Sequence, residues 1–217
     1  IEKTIILIEM TRSIEFIICI LGSLKAGFCF IPINPSMPVN LKTKIIEEYA
    51  SYIVLNNLDE YCGDIESEIK ITDKHLAYIM YTSGTTGESK GVMVSHRNIM
   101  NYVNYIGEHV IGEDSKRIGY INSIYTDLGY TALFVSLLRG KTLYVLEDGR
   151  ELESDYVLKY IYKHKIDLIK TTPSYYGVMD GELESSEGKA WNRIREYMDS
   201  SVEFILGGEV LSSKYLR

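Results

Sequence analysis

Residues Tyr81-Thr-Ser-Gly-Thr-Thr-Gly-Glu-Ser-Lys-Gly91 concentrate groups that bind anions. Gly84, Gly87 and Gly91 let the backbone turn tightly and approach a ligand closely. Thr82, Ser83, Thr85 and Thr86 add four hydroxyl donors, and backbone N–H groups in such a loop form an anion-binding concavity. Lys90 supplies a point charge suited to a phosphate. The loop therefore predicts phosphate binding; the alternative is a hairpin or surface loop with no ligand. It is not a Walker loop. Counted from Gly84, Ser89 stands where that pattern has Gly, and Gly91 replaces its Ser or Thr.

The elements that must hold this loop follow from apolar periodicity. Short β-type runs predict strands over 4–8, 28–33, 52–55, 76–81, 118–122, 142–146, 167–170 and 202–206. Longer helical patterns fill 13–26, 41–50, 130–138, 155–164, 173–179 and 191–197, with a further helix from about His96. The phosphate loop then lies between a strand and a helix. This alternation predicts an α/β fold with largely parallel sheets. The polar stretch 56–74 is the softest point of the chain, and 181–189 reads as a surface loop.

Composition narrows the function classes. The 217 residues are 46% hydrophobic and 24% charged, which is ordinary for a soluble globular chain. Net charge is -7 with the basic residues scattered, so a nucleic-acid partner is excluded for want of a basic stripe. The longest apolar stretch, 14–33, is interrupted by Glu15 and Lys25 and weakened by Gly22 and Gly27. It reads as a buried helix followed by a buried strand, not a membrane span. Cys19, Cys29 and Cys62 are odd in number and match no metal or disulfide spacing. The first two sit in apolar runs as buried thiols, and the expected compartment is the cytoplasm. The chain starts abruptly inside an apolar strand-like run, which suggests an excised piece.

The run Leu76-Ala-Tyr-Ile-Met-Tyr-Thr-Ser-Gly-Thr-Thr-Gly-Glu-Ser-Lys-Gly91 resembles the signature of the adenylate-forming superfamily, whose members include acyl-CoA synthetases, luciferases and the adenylation domains of nonribosomal peptide synthetases. The Leu-Ala-Tyr opening points to the adenylation-domain branch. Ser89 departs from the usual Pro, which is expected to leave the loop more flexible without removing binding. Leu24-Lys-Ala-Gly-Phe-Cys-Phe-Ile-Pro-Ile-Asn34 resembles a second, structural motif of the same superfamily, about 50 residues upstream. Read from the residues alone, Gly27 ends a helix and Pro32 sits at a strand end. The likeness extends from Glu2 to Arg217.

The resemblance carries the site assignments. It implies that Thr82, Ser83, Gly84, Thr85, Thr86, Gly87 and Lys90 hold ATP phosphates. Thr126-Asp-Leu-Gly-Tyr-Thr-Ala-Leu-Phe134 resembles the segment that opens the substrate pocket. Asp127 there would pair with a substrate α-amino group, or it could cap the helix it precedes. Ile166-Asp-Leu-Ile-Lys-Thr-Thr-Pro-Ser-Tyr175 resembles a pocket wall, and Phe204-Ile-Leu-Gly-Gly-Glu209 a strand-turn near the adenine. These segments give Leu128, Thr131, Lys170, Ile205 and Gly207 to the substrate, and Gly207, Gly208 and Glu209 to the nucleotide. Lys170 could face a substrate carboxylate, neutralise Asp127 or point outward.

The expected function is ATP-dependent activation of an amino acid as aminoacyl-AMP, followed by transfer to a phosphopantetheine thiol on a peptidyl carrier domain. The alternatives are an acyl- or aryl-acid CoA ligase and a non-catalytic nucleotide-binding fragment. The resemblance also implies parts beyond Arg217: a magnesium-holding Glu and a small C-terminal subdomain with the catalytic lysine. Residues 1–217 are accordingly expected to be a partial adenylation domain from the large N-terminal subdomain, itself weak in ATP binding and inactive in turnover.

Overall fold

The computed structural model describes residues 4–58, 70–83, 89–112 and 114–211. Cys62 and most of the soft stretch 56–74 lie outside them. The chain divides into two compact units, Ile1–Tyr102 with Ile124–Thr126, and Val103–Ser123 with Asp127–Arg217.

In the first unit, strands β1 (Ile5–Ile8), β2 (Cys29–Pro32), β3 (Tyr52–Leu55), β4 (Leu76–Ser83) and β5 (Ser89–Ser95) form one sheet in the order β3-β1-β2-β4-β5. Every pairing is parallel except β4 with β5. All four residues of β1 are buried, as expected of a strand covered on both faces. Helix α1 (Ile14–Lys25) packs on β1 and β2. It starts where the sequence predicts: Ser13 is extended (φ -158°, ψ 173°) and its hydroxyl accepts from the Phe16 N–H at 3.1 Å. Helix α2 (Val39–Glu47) lends Ile45 to a core with Ile5, Leu7, Cys29, Ile31, Ile33 and Ile79. Cys19 and Cys29 are buried and make no disulfide.

Strand β5 was not expected. Ser89 to Ser95 reads as loop and helix approach because Gly91 and two serines dilute the β signal of Val92-Met93-Val94. Tertiary pairing overrides that weak local preference. The phosphate loop therefore joins two antiparallel strands, not a strand and a helix. The helix at His96 begins only after β5, as α3 (His96–His109).

The second unit is built on a fully parallel sheet in the order β7-β6-β8-β9, from β6 (Arg117–Tyr120), β7 (Thr142–Val145), β8 (Leu168–Thr171) and β9 (Glu203–Leu206). Helix α4 (Leu128–Leu138) packs against β6, β7 and β8 and is buried from Gly129 to Ser136. Helices α5 (Ser154–His164), α6 (Pro173–Ser185) and α7 (Lys189–Ser201) share a second core. Val157, Leu158 and Ile161 meet Met179, Leu183, Ile194 and Met198 there. The expected loop at 181–189 is partly wrong. Helix α6 continues to Ser185 because Leu183 lies one turn beyond Met179 and enters the same core. No helix among the described residues is long and apolar enough to cross a membrane.

Candidate functional site

The stem of the phosphate loop is the β4–β5 hairpin. Its ladder sets Tyr81 opposite Gly91, Thr82 opposite Lys90 and Ser83 opposite Ser89. Thr82 and Lys90 are exposed and face each other across the stem. Gly84, Thr85, Thr86 and Gly87 lie outside the described residues, as do the side chains of Ser83 and Ser89. The stem is anchored from α2 and its C-terminal end. The Tyr81 hydroxyl donates to Glu48 Oε2 at 2.7 Å and shares a 2.8 Å hydrogen bond with the Tyr49 hydroxyl. Burial, and then these two partners, push the Tyr81 phenol well above its ordinary range, so it stays protonated.

Gly91 has a different role from the one its position in the motif suggests. It is a strand residue, and a Cβ there would stand 2.9 Å from Ile79 Cγ2 and 3.2 Å from Tyr81 Cζ. Close side-chain packing, not a turn around a ligand, requires glycine at 91.

In the second unit, the end of β6, the start of α4, the β8–α6 junction and the turn after β9 carry the predicted substrate residues. Asp127 is exposed and directly precedes α4. Its backbone is already helical (φ -65°, ψ -22°), and its side chain makes no cap hydrogen bond. Ser13 and Thr172 show what a capping residue does here: both are extended and both accept an N–H three residues on. The capping role considered for Asp127 is thus not the one it plays. Helix α4 starts two residues earlier than expected, which turns Leu128 into its first residue.

Sequence reasoning missed Gly129. A Cβ at this position would lie 2.6 Å from Tyr120 Cε2 and 2.9 Å from the Ser123 carbonyl oxygen. Glycine lets the start of α4 sit against the end of β6, which fixes where Asp127, Leu128 and Thr131 stand. A glycine inside a helical apolar pattern is the signal that could have found it.

Lys170 lies on β8, half-buried, with Ile205 beside it in the parallel ladder. Its Nζ donates to Thr131 Oγ1 at 2.7 Å. Thr131 is buried at 3% exposure on α4, one turn beyond Asp127. The Asn122 side-chain amide donates to the Lys170 carbonyl at 2.6 Å and ties the end of β6 to β8. Lys170 makes no ion pair with Asp127; the hydroxyl of Thr131 is its partner instead.

Beyond β9, the Gly207 N–H donates to the Thr171 carbonyl at 3.1 Å. A Cβ at Gly207 would meet only Lys170 Cε, at 3.9 Å. Gly208 has φ +83°, with Leu128 Cδ1 and Thr172 Cγ2 each 3.8 Å from the Cβ position. Leu128, Thr131, Lys170, Ile205, Gly207 and Gly208 are therefore brought to one wall. Glu209 reaches the first turn of α6. Its Oε2 accepts from the Ser174 N–H at 3.1 Å and the Ser174 hydroxyl at 2.5 Å. Those bonds hold the Glu209 carboxyl below the usual carboxylate range. Among the described residues no group of three or more His, Cys, Asp or Glu could hold a metal ion.

Residues 43–217 match the family described as AMP-binding enzyme. Among curated relatives, surfactin synthase subunit 2 of Bacillus subtilis (strain 168) is 34% identical over 228 aligned positions, covering 96% of this chain. Bacitracin synthase 3 of Bacillus licheniformis is 29% identical over 95% of it. The chain spans 6% and 3% of those two proteins. Among solved structures, the nonribosomal peptide synthetase FmoA3 bound to α-methyl-L-serine-AMP superposes with a TM-score of 0.74 at 20% identity, over 88% of this chain and 24% of that one. The N-terminal domain of FACL13 from Mycobacterium tuberculosis superposes with a TM-score of 0.76 at 19% identity, over 97% of this chain and 58% of that one. These two share the fold. The family match covers most of the sequence, from α2 through the stem, the Lys170 wall and Glu209: the chain belongs to the AMP-binding enzyme family.

Proposed function

We propose that this chain is the large-subdomain part of an ATP-dependent adenylating enzyme that activates an amino acid as aminoacyl-AMP for loading onto a carrier-protein phosphopantetheine. In that reaction an oxygen of the substrate carboxylate bonds to the ATP α-phosphorus, and the bond to the leaving pyrophosphate breaks. Lys90 and Thr82, across the hairpin stem from each other, are the described groups suited to the phosphates. The protein's part is to position the reactants and stabilise charge. Magnesium supplies charge neutralisation to such a reaction when bound; the described residues offer no cage for it.

The observation that carries the amino-acid reading is Asp127. Its carboxylate stands exposed at the start of α4, with no helix N–H on it, one turn from the Thr131–Lys170 contact. Such a group suits a substrate ammonium. An acid with no amino group has no use for it, and this separates the reading from an acyl- or aryl-acid CoA ligase. The relatives named as surfactin and bacitracin synthases support the same choice.

The Lys170–Thr131 contact favours a finer reading, a substrate with a carboxylate on its side chain. Lys170 reaches Thr131 and makes no ion pair with Asp127, so an α-ammonium at Asp127 has no lysine to displace. The lysine then places a second, opposite charge in the same wall.

Asp127→Ala in the full-length protein tests the main reading. A hydrogen bond to a charged group contributes about 1.5–3 kcal/mol, so amino-acid-dependent pyrophosphate exchange should weaken by about 10- to 100-fold. ATP affinity and thermal stability should hold, because no cap bond is lost. A joint fall in ATP affinity and melting temperature would restore the capping role and remove the support for an amino substrate.

A further inference from the structure

Glu209 falls on the nucleotide side by its place in the sequence, yet its carboxylate is engaged at the start of a helix. We propose that Glu209 is a positioning residue that latches the turn after β9 to the first turn of α6, and so holds Gly207 and Gly208 against the wall formed by Lys170 and Thr172. This rests on the amino-acid-activating reading above.

The argument starts from the orphan donors of α6. A helix leaves its first backbone N–H groups without partners inside it. Pro173 has none to satisfy. The Tyr175 N–H goes to Thr172 Oγ1 at 3.2 Å, and the Tyr176 N–H to the Thr172 carbonyl at 3.0 Å. The Ser174 N–H goes to Glu209, 35 residues away in sequence. Every donor of the first turn but this one is satisfied locally. The long-range one uses a carboxylate, the charge a helix N-terminus favours.

The other end of the latch is the turn itself. It is held to β8 by the Gly207 N–H on Thr171, and a Cβ added at Gly208 would lie 3.8 Å from Leu128 Cδ1 and Thr172 Cγ2. Glu209 is exposed, so its contribution is the charged hydrogen bond and not packing. The same Oε2 accepts both Ser174 donors. A carboxylate committed in this way acts on the reaction through the amino-acid wall and not by contact with the nucleotide.

The test uses the full-length protein and the variants Glu209→Ala, Glu209→Gln, Ser174→Ala and the Glu209→Ala/Ser174→Ala double variant. Amide hydrogen exchange at Ser174 reads the latch without any activity. It should accelerate by about ten-fold in Glu209→Ala, the order of one charge-assisted bond, and by less in Glu209→Gln, whose amide oxygen still accepts. Pyrophosphate exchange, run with the proteinogenic amino acid that gives the highest rate, reads the consequence. The amino-acid KM should rise by about ten-fold in Glu209→Ala with kcat within about two-fold. Ser174→Ala should move the same constant, and the double variant should be no worse than Glu209→Ala alone. Unchanged exchange at Ser174 in Glu209→Ala overturns the latch. A rise in the KM for ATP instead, with Ser174→Ala silent, overturns it as well and returns Glu209 to the nucleotide. A wild-type protein inactive with every proteinogenic amino acid would count against the amino-acid reading, while the exchange at Ser174 would still decide the latch.

Discussion

Replacing Gly91 with alanine separates two roles for the last glycine of the phosphate motif. A Cβ at 91 would meet Ile79 Cγ2 at 2.9 Å and the Tyr81 ring at 3.2 and 3.5 Å. Neither neighbour can retreat. Ile79 is 1% exposed, its branch methyl lies next to the backbone, and it belongs to the core with Ile5 and Ile31. The Tyr81 ring is pinned at its far end by Glu48 and Tyr49. Overpacking of this kind costs about 1–3 kcal/mol. Losing a flexible glycine from the unfolded chain returns about 0.4–1 kcal/mol. The net expectation is a loss of about 1–2 kcal/mol. Urea and thermal unfolding of the full-length protein measure it, and ATP titration should show that affinity falls no more than the unfolded fraction explains. Gly22→Ala is the control of opposite sign: it sits on the exposed side of α1 with nothing within 4 Å of the Cβ position. That change should stabilise by about 0.5–1 kcal/mol. A Gly91→Ala protein as stable as wild type but impaired in ATP binding would refute the packing argument and give the glycine back to the ligand.

Two further outcomes follow from the geometry. Lys170→Met should lose about 10- to 100-fold of its activity toward an acidic amino acid while keeping its dependence on Asp127; a gain toward neutral α-amino acids would instead show that the lysine had been neutralising Asp127, and an unchanged substrate profile would place it outside the pocket. His96 Nε2 is buried without a hydrogen-bond partner among the described residues, and burial, then His75, lowers its pKa from the usual 6.5. The unfolded chain takes up this proton first, so stability is full above about pH 6.5 and falls as pH drops through the lowered folded value. Urea midpoints compared with those of His96→Asn across this window check it, and equal pH slopes in the two proteins would sink the assignment.

The sequence made legible whatever local chemistry decides alone. Ser13 and Ala26 bracket α1 because a cap hydroxyl and a following glycine are readable without tertiary context. The strand at Tyr52–Leu55 was found to the residue because β-branched and aromatic residues fill it. Strand β5 was hidden because pairing with β4, not its own composition, makes it a strand. The last two turns of α6 were hidden because Leu183 turns helical in order to reach a core built from α5 and α7. At the site, sequence patterns identified the segments, but not the partner of each polar atom.

That failure has one physical form. The sequence leaves Lys170 open between a substrate carboxylate, Asp127 and solvent, and the resemblance gives Glu209 to the nucleotide; in the structure the lysine bonds to the Thr131 hydroxyl and the glutamate to Ser174. Both outcomes follow from which unsatisfied groups the fold brings nearby. Gly129 seats α4 against Tyr120, which carries Thr131 to the lysine. Gly208, at φ +83°, takes a backbone conformation that side-chain-bearing residues rarely adopt, and this brings Glu209 to the N–H of Ser174. Each pairing is thus set by a glycine: Gly129 through a close approach, and Gly208, immediately before Glu209, through its positive φ. Exchanging charges in this wall without regard to those two glycines should therefore disturb the partner network before it alters what the wall selects.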